Sequence, residues 1–207
     1  TESTGGGVRF GIPIGEKESL NFGAAVDYTD VTVDMQSPYT PLQYKRFNET
    51  HCNGKESCAN ATVPLTASWI SDGKDSAITP TKGAFQKLAF EISPLGDLKY
   101  YKATYQHQRF FAIAKNLTLM LNGEVGYAKG LSGKKMPFYK NFYAGGGSSV
   151  RGYEAASLGP YEIVAGSNDE MRLGGTRRFV FNAELMMPMP GLEKSVRFGP
   201  FFDAGQV

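Results

Sequence analysis

The sequence predicts an all-β fold, an antiparallel transmembrane β-barrel with about eight strands in this chain. Three observations predict it. Apolar side chains recur at every second residue through most of the chain, the period of strands whose two faces meet different surroundings. Connections alternate between short turns and long polar loops, as at the two ends of a membrane barrel. The polar face carries charge in mid-strand, at Lys87, Glu91, Lys102, Glu124 and Glu184, which suits a hydrated lumen. A soluble β-sandwich also alternates. The mid-strand charge, and Leu and aromatic residues on nearly every opposite face, favour the barrel.

The bulk numbers agree. The chain has 207 residues, enough for one large domain or two small ones. Its net charge of +2 argues neither for nucleic acid nor for an acidic partner. Charged residues make up 20% and mean hydropathy is −0.30. No run approaches the ~18 apolar residues of a spanning helix. Hydropathy alone reads as water-soluble, but a barrel meets lipid with only alternate residues. The chain starts at Thr1 without Met, basic n-region or apolar h-region, so the expectation is mature protein or an excised fragment.

Taken in order, Val8 to Ile14 sets Val8, Phe10, Ile12 and Ile14 on one face and Arg9 and Gly11 on the other. After a turn at Gly15-Glu16-Lys17-Glu18, Leu20 to Tyr28 alternates again, with Asn21 and Asp27 opposite Phe22 and Val26. A polar insert covers Val31 to Ala61, and Thr62 to Trp69 resumes the strand pattern. Phe85 to Ile92 opposes Leu88, Phe90 and Ile92 to Lys87 and Glu91. Leu98 to Phe111 opposes Tyr101, Ala103 and Tyr105 to Lys102, Thr104 and Gln106. Leu117 to Tyr127 is the clearest, with Leu119, Leu121 and Val125 against Thr118, Asn122 and Glu124. After a long loop, Arg178 to Met187 sets Phe179, Phe181 and Leu185 against Asn182 and Glu184. Val196 to Asp203 puts Arg197 and Asp203 on one parity and Phe198 and Phe202 on the other. Many of these segments are near the ~9–11 residues of a spanning strand. Tyr28, Trp69 and Tyr127 at strand ends suit interfacial girdles. No segment shows a helical period with caps.

Cys52 and Cys58 flank an Asn53-Gly54 turn former in the polar insert, close enough to bridge in an oxidising compartment. A disulfide is the main reading. A zinc half-site with His51 is the rival, with His107 as the only other histidine, and unpaired thiols are the third reading.

Catalytic motifs fail on context. Gly130-Leu131-Ser132-Gly133-Lys134-Lys135 has the composition of a phosphate loop but the wrong spacing and no following helix. Ser132 and Lys135 match S-x-x-K inside a glycine-rich loop. Asn48, Asn60 and Asn116 open glycosylation sequons, and Asp169-Glu170 is an acidic pair with the look of a solvated loop. No nucleophile with a base, no cofactor site and no metal site is expected, so the chain is not read as an enzyme.

The segment Phe138 to Pro160 combines aromatics at Phe138, Tyr139, Phe142 and Tyr143 with Gly145, Gly146 and Gly147, around Val150-Arg151-Gly152-Tyr153. Glycine permits close approach and the aromatics supply packing surface, so this loop is expected to lie on something. Met136-Pro137-Phe138-Tyr139, the Ala-Gly-Gly before Val-Arg-Gly-Tyr, and Leu158-Gly159-Pro160 together resemble the BamA family of outer-membrane assembly barrels, loosely followable from Val8 to Asp203.

The resemblance implies a fragment of a sixteen-stranded barrel. Residues 1–207 would be part of one C-terminal barrel domain, with long extracellular loops at about 30–61 and 129–177. The preceding POTRA domains, the first strands and the last three would be absent. It further implies that Val150, Arg151, Gly152 and Tyr153 form a loop-anchoring motif at the tip of the sixth extracellular loop, folded back into the barrel. Arg151 would reach Glu184 and Asp203 on the two following strands, and its planar fork suits two carboxylates. The implied function is folding and insertion of β-barrel proteins into the bacterial outer membrane. Outer-membrane lipid, unfolded client proteins and accessory lipoproteins would be the partners. A polypeptide-secreting transporter of the same superfamily and a passive porin-like barrel are the alternatives.

Overall fold

A computed structural model describes residues 2–164, 170–192 and 196–207. Its frame is one antiparallel sheet. β1 (Glu2–Pro13), β2 (Glu18–Thr32), β4 (Leu65–Asp72), β5 (Gly83–Ser93), β6 (Tyr100–Ala114), β7 (Leu117–Gly130), β10 (Arg177–Pro188) and β12 (Phe201–Gln206) follow one another across it. These are the eight segments of the alternating pattern, extended by a few residues at most ends. β3 (Ser57–Thr62) prolongs the β4 side against β2, and β11 (Arg197–Phe198) pairs with β10. The pattern over Val196 to Asp203 is interrupted because Pro200 has no N–H for the ladder. Its carbonyl still accepts a hydrogen bond from the Leu185 N–H at 3.0 Å.

The register explains the two faces. One row runs Phe10, Phe22, Ala67, Phe90, Ala103 and Tyr127 across six strands. The adjacent row, displaced by one residue on each strand, runs Arg9, Gly23, Thr66, Glu91, Lys102 and Ala128. The first row lies on the face that leaves large apolar side chains uncovered, with Phe10 at 66% and Phe22 at 44% exposure. Water does not tolerate such a surface over a whole sheet, whereas lipid does. The other face is polar and is covered from within by the long loop. The sheet curls toward this polar side. Arg197 donates to the carbonyls of Thr79 and Pro80, both at 2.8 Å, from the far side of the wall.

Short connections at residues 14–17 and 115–116 mark one end of the wall, and the insert after β2 and the loop after β7 mark the other. The insert contains a helix absent from the sequence expectation, α1 (Leu42–His51). Pro41 at its N-cap has no side-chain acceptor. Its Leu42 N–H instead donates to the Glu162 carboxylate at 2.8 Å, a favourable place for an anion. Glu162 belongs to β8 (Tyr161–Ile163), which pairs with β9 (Glu170–Arg172) in a small separate ribbon. Phe47 and Tyr44 of α1 pack on Phe138, with ring centroids 5.2 and 4.2 Å apart. Val31, Val33, Leu98 and Cys52 complete this apolar cap over the loop end of the wall.

Candidate functional site: an arginine anchor on the polar face

The loop after β7 returns along the polar face and is fixed stepwise. A short 3-10 turn at Phe138–Lys140 sits under α1. Phe142 exchanges two backbone hydrogen bonds with Gly175, at 2.8 and 2.9 Å. Its ring lies on Gly126 of β7, and Lys102 Nζ stands 4.1 Å from the ring centroid. Lys102 Nζ also donates to the Lys140 carbonyl at 3.2 Å. Ala144 bridges to Leu158 and Gly146 to Val150, so the tip forms a compact turn. The Ser149 hydroxyl donates to the Gly145 carbonyl at 3.0 Å and accepts from the Gly145 N–H at 2.9 Å.

At the tip, Val150 is 2% exposed and packs with Ala144 on Val180 of β10, with Leu158 and Val207 around them. Gly205 of β12 makes room for it, since a Cβ there would stand 2.6 Å from Val150 Cγ2. The Arg151 backbone N–H donates to Asp203 Oδ2 at 2.9 Å. Its Nε donates to the same oxygen at 2.7 Å and Nη2 to Oδ1 at 2.8 Å, a two-pronged pairing. Nη1 donates to Glu184 Oε2 at 2.6 Å. Hydrogen bonding to Asp203, with Glu184 adding to it, raises the Arg151 pKa further above its ordinary value against the opposing effect of burial. Gly152 follows at φ 85°, a left-handed turn that a side chain would strain. Among the described residues, Tyr153 contributes through its backbone. Its carbonyl accepts from the Gly146 N–H at 3.0 Å, while its ring is 56% exposed.

Sequence reasoning missed several members of this site. Phe201 of β12 shares the parity of Asp203, and the Arg151 guanidinium lies over its ring, 3.7 Å from the centroid. Asn182 Nδ2 donates to the Ser149 carbonyl at 2.7 Å and to Asp203 Oδ1 at 2.9 Å. Its Oδ1 accepts from Asn122 Nδ2 at 2.9 Å, and Asn122 Oδ1 accepts from Gln106 Nε2 at 3.0 Å. The amides therefore line up across β6, β7 and β10 toward Asp203. Inward parity on consecutive strands was the available signal for Asn122 and Gln106. Nothing local marked Phe201 as a stacking partner.

Cys52 and Cys58 are bonded, with Cα atoms 5.5 Å apart, joining the end of α1 to β3 beneath the cap. His51 stacks on Phe47, with centroids 4.6 Å apart. Among the described residues, no group of three or more His, Cys, Asp or Glu could hold a metal ion. Ser132 and Lys135 are both exposed on the 131–136 turn. Asp169 lies outside the described residues, and Glu170 pairs with Arg172 at 2.6 Å. The whole arrangement is one of ion pairing, hydrogen bonding and ring stacking. It holds a loop against a wall.

Comparison with known proteins adds descent to this geometry. The Omp85 superfamily domain matches residues 1–207. The chain is 36% identical over 213 residues to the outer membrane protein assembly factor BamA of Neisseria meningitidis serogroup B, covering 100% of this chain and 26% of that protein. A SAM50-like protein of Schizosaccharomyces pombe is 26% identical over 140 residues, covering 65% of this chain and 28% of its own length. The crystal structure of BamA from Haemophilus ducreyi lacking POTRA domains 1-3 superposes with a TM-score of 0.82 at 22% identity, over 99% of this chain and 41% of that one. That likeness concerns the fold. The chain spans about a quarter of the length of these curated relatives.

Proposed function

The chain belongs to the Omp85 superfamily, and from that membership we propose that it forms part of the barrel wall of an outer-membrane protein assembly factor. The protein folds and inserts β-barrel clients into the bacterial outer membrane, and this segment supplies middle and later wall strands with the loop that plugs them. Assembly-factor relatives that cover 100% and 96% of the chain support the reading. Clients, outer-membrane lipid and accessory lipoproteins are its partners, and it performs no covalent chemistry.

The observation that carries the proposal is the attachment of the loop tip to the polar face by Arg151, Asp203 and Glu184. The loop held by Arg151, Asp203 and Glu184 lies along the polar face, where an open passive pore would hold water. A barrel that must flex while presenting a strand edge to a client needs its interior braced. In cells depleted of the natural protein, full-length Arg151→Ala is expected to insert as a folded barrel yet fail to restore client barrels to the outer membrane. Full restoration by Arg151→Ala would overturn the proposal. Selective loss of an exported soluble polypeptide, with barrel clients unaffected, would replace it with the transporter reading.

A further inference from the structure

The turn Leu131-Ser132-Gly133-Lys134-Lys135 plays no part in the arginine anchor. It closes on itself through a hydrogen bond from the Lys134 N–H to the Leu131 carbonyl at 3.1 Å. Ser132 and Gly133 both adopt positive φ, at 55° and 75°. The turn folds so tightly over the end of β7 that a Cβ on Gly130 would collide with the Lys134 carbonyl. The Lys134 ammonium donates to the Asp97 carbonyl at 3.0 Å and ties the turn to the neighbouring connection.

This turn roofs a cleft of about 700 Å³ at the loop end of the wall. Tyr101, Tyr127, Lys129 and Arg177 line its wall side, and Lys134 and Lys135 its roof. All four wall residues lie on the outward row of the sheet, since Tyr101 is opposite Lys129 and Tyr127 opposite Arg177. Among the described residues, no Asp or Glu lines the cleft. Among the described residues, Lys129, Lys135 and Arg177 form no ion pair. All three are exposed. Below them on the same face, Val125 and Phe179 are 48% and 49% exposed.

We infer that this cleft binds the phosphorylated headgroup of a membrane lipid, with its acyl chains lying along the outward face of β6, β7 and β10. Among the described lining residues the charge is of one sign and has no carboxylate to balance it, so the occupant is anionic. Arg and Lys donors suit phosphate oxygens. Tyr101 and Tyr127 mark the interfacial level at which headgroups sit. The apolar wall continues directly below the cations, so an amphiphile satisfies both surfaces and a free anion only one. The position at the long-loop end places the site in the outer leaflet. This inference rests on the membrane-barrel part of the proposed function and not on client assembly.

The test uses the full-length protein in detergent, with lipid retention read by native mass spectrometry. Diphosphorylated lipid A, the same lipid without phosphates, and inorganic phosphate are the three probes. The variant Lys129→Gln/Lys135→Gln/Arg177→Gln is expected to weaken retention of the diphosphorylated lipid at least about tenfold, given the contribution of each basic residue near a charged lipid surface. The dephosphorylated lipid is expected to bind equally to both proteins, and inorganic phosphate to neither. Unchanged retention by the variant would overturn the inference. So would equal binding of the dephosphorylated lipid by the natural protein, or binding of inorganic phosphate as tight as that of the lipid. The folded state of each variant is checked by heat-modifiable mobility. Should the triple variant not fold, Lys135→Glu on the turn carries the same test. A folded variant that assembles clients but retains the lipid unchanged sinks this inference and leaves the proposed function standing.

Discussion

Phe142 and Gly126 meet face to face: a Cβ built on Gly126 would lie 2.7 Å from Phe142 Cζ and 2.9 Å from Cε1. The contact joins the returning loop to the middle of the sheet, on the polar face where Thr104 and Arg178 are the cross-strand neighbours of Gly126. A glycine in mid-strand weakens the strand by itself, so its presence marks a close approach. Gly126→Leu should displace the Phe142 ring and cost about 1–3 kcal/mol of overpacking. The displacement should also free Lys102 from its place over the ring. Protease cleavage near residue 142 in intact cells measures the displaced loop. A Gly126→Leu barrel with unaltered cleavage and unaltered heat stability would disprove the contact's role.

The two faces of the wall give a second prediction. Leu119, Leu121, Phe181 and Leu185 occupy outward rows, while Asn122, Glu124, Asn182 and Glu184 lie on the loop-covered side. An Arg placed at an outward midplane position costs roughly 2–4 kcal/mol and much less on the lumen side. Single cysteines at positions 121 and 122 of the full-length protein should therefore differ in reaction with a membrane-impermeant thiol reagent. Position 122 should react once the loop is released by Arg151→Ala, and position 121 should stay unreactive. Equal labelling of both would show the register to be wrong.

Strands were legible because their period of two is a local property and the lipid face enforces it at every position. The helix α1 was not legible for the opposite reason. Its stability comes from Phe138 and Glu162, far away in sequence, and no capping residue precedes it. The anchor falls between these cases. Arg151, Glu184 and Asp203 could be singled out by charge, parity and resemblance. Phe201 could not, because its inward parity places it beside Asp203 but nothing in an aromatic side chain marks it as the partner of a cation. Only the approach of the guanidinium to 3.7 Å from its ring centroid distinguishes it. The break at Pro200 shortened the pattern on which a parity argument could be built.

Reduction of the Cys52–Cys58 bond should have a local effect. The bond closes a short loop, so its contribution is at most about 2–3 kcal/mol. Both sulfurs sit with Val31 and Phe47 in the apolar cap, away from the arginine anchor. Cys52→Ser/Cys58→Ser should make the 33–56 segment more sensitive to external protease and leave the heat stability of the barrel wall unchanged. Two freely alkylated thiols in protein isolated from the membrane would show that the bond does not form. A large fall in barrel stability would show that the cap is not the separate unit described.

The arginine anchor predicts an unequal coupling. Asp203 receives three hydrogen bonds from Arg151, one of them from the backbone N–H, and its side chain is 2% exposed. Glu184 receives one and is 26% exposed. Breaking a buried pair by removing one partner costs about 3–5 kcal/mol, because the other charge is left without compensation. A pair with both side chains about a quarter exposed, as Arg151 and Glu184 are, is partly screened and worth about 1 kcal/mol. Double-mutant cycles in the full-length protein, read as heat or denaturant stability of the folded barrel, should therefore give about 3 kcal/mol for Arg151 with Asp203 and about 1 kcal/mol for Arg151 with Glu184. Arg151→Lys keeps one positive charge but cannot address both Asp203 oxygens and Glu184 from one plane, and it loses the flat contact with Phe201. Its stability should fall most of the way toward that of Arg151→Ala. Phe201→Leu should lower stability by about 0.5–2 kcal/mol, the range for a cation over a partly desolvated ring, with the carboxylate couplings retained. A Glu184 coupling equal to or larger than that of Asp203, or full stability in Arg151→Lys, would show that a point charge suffices and that the fork geometry does not hold the loop.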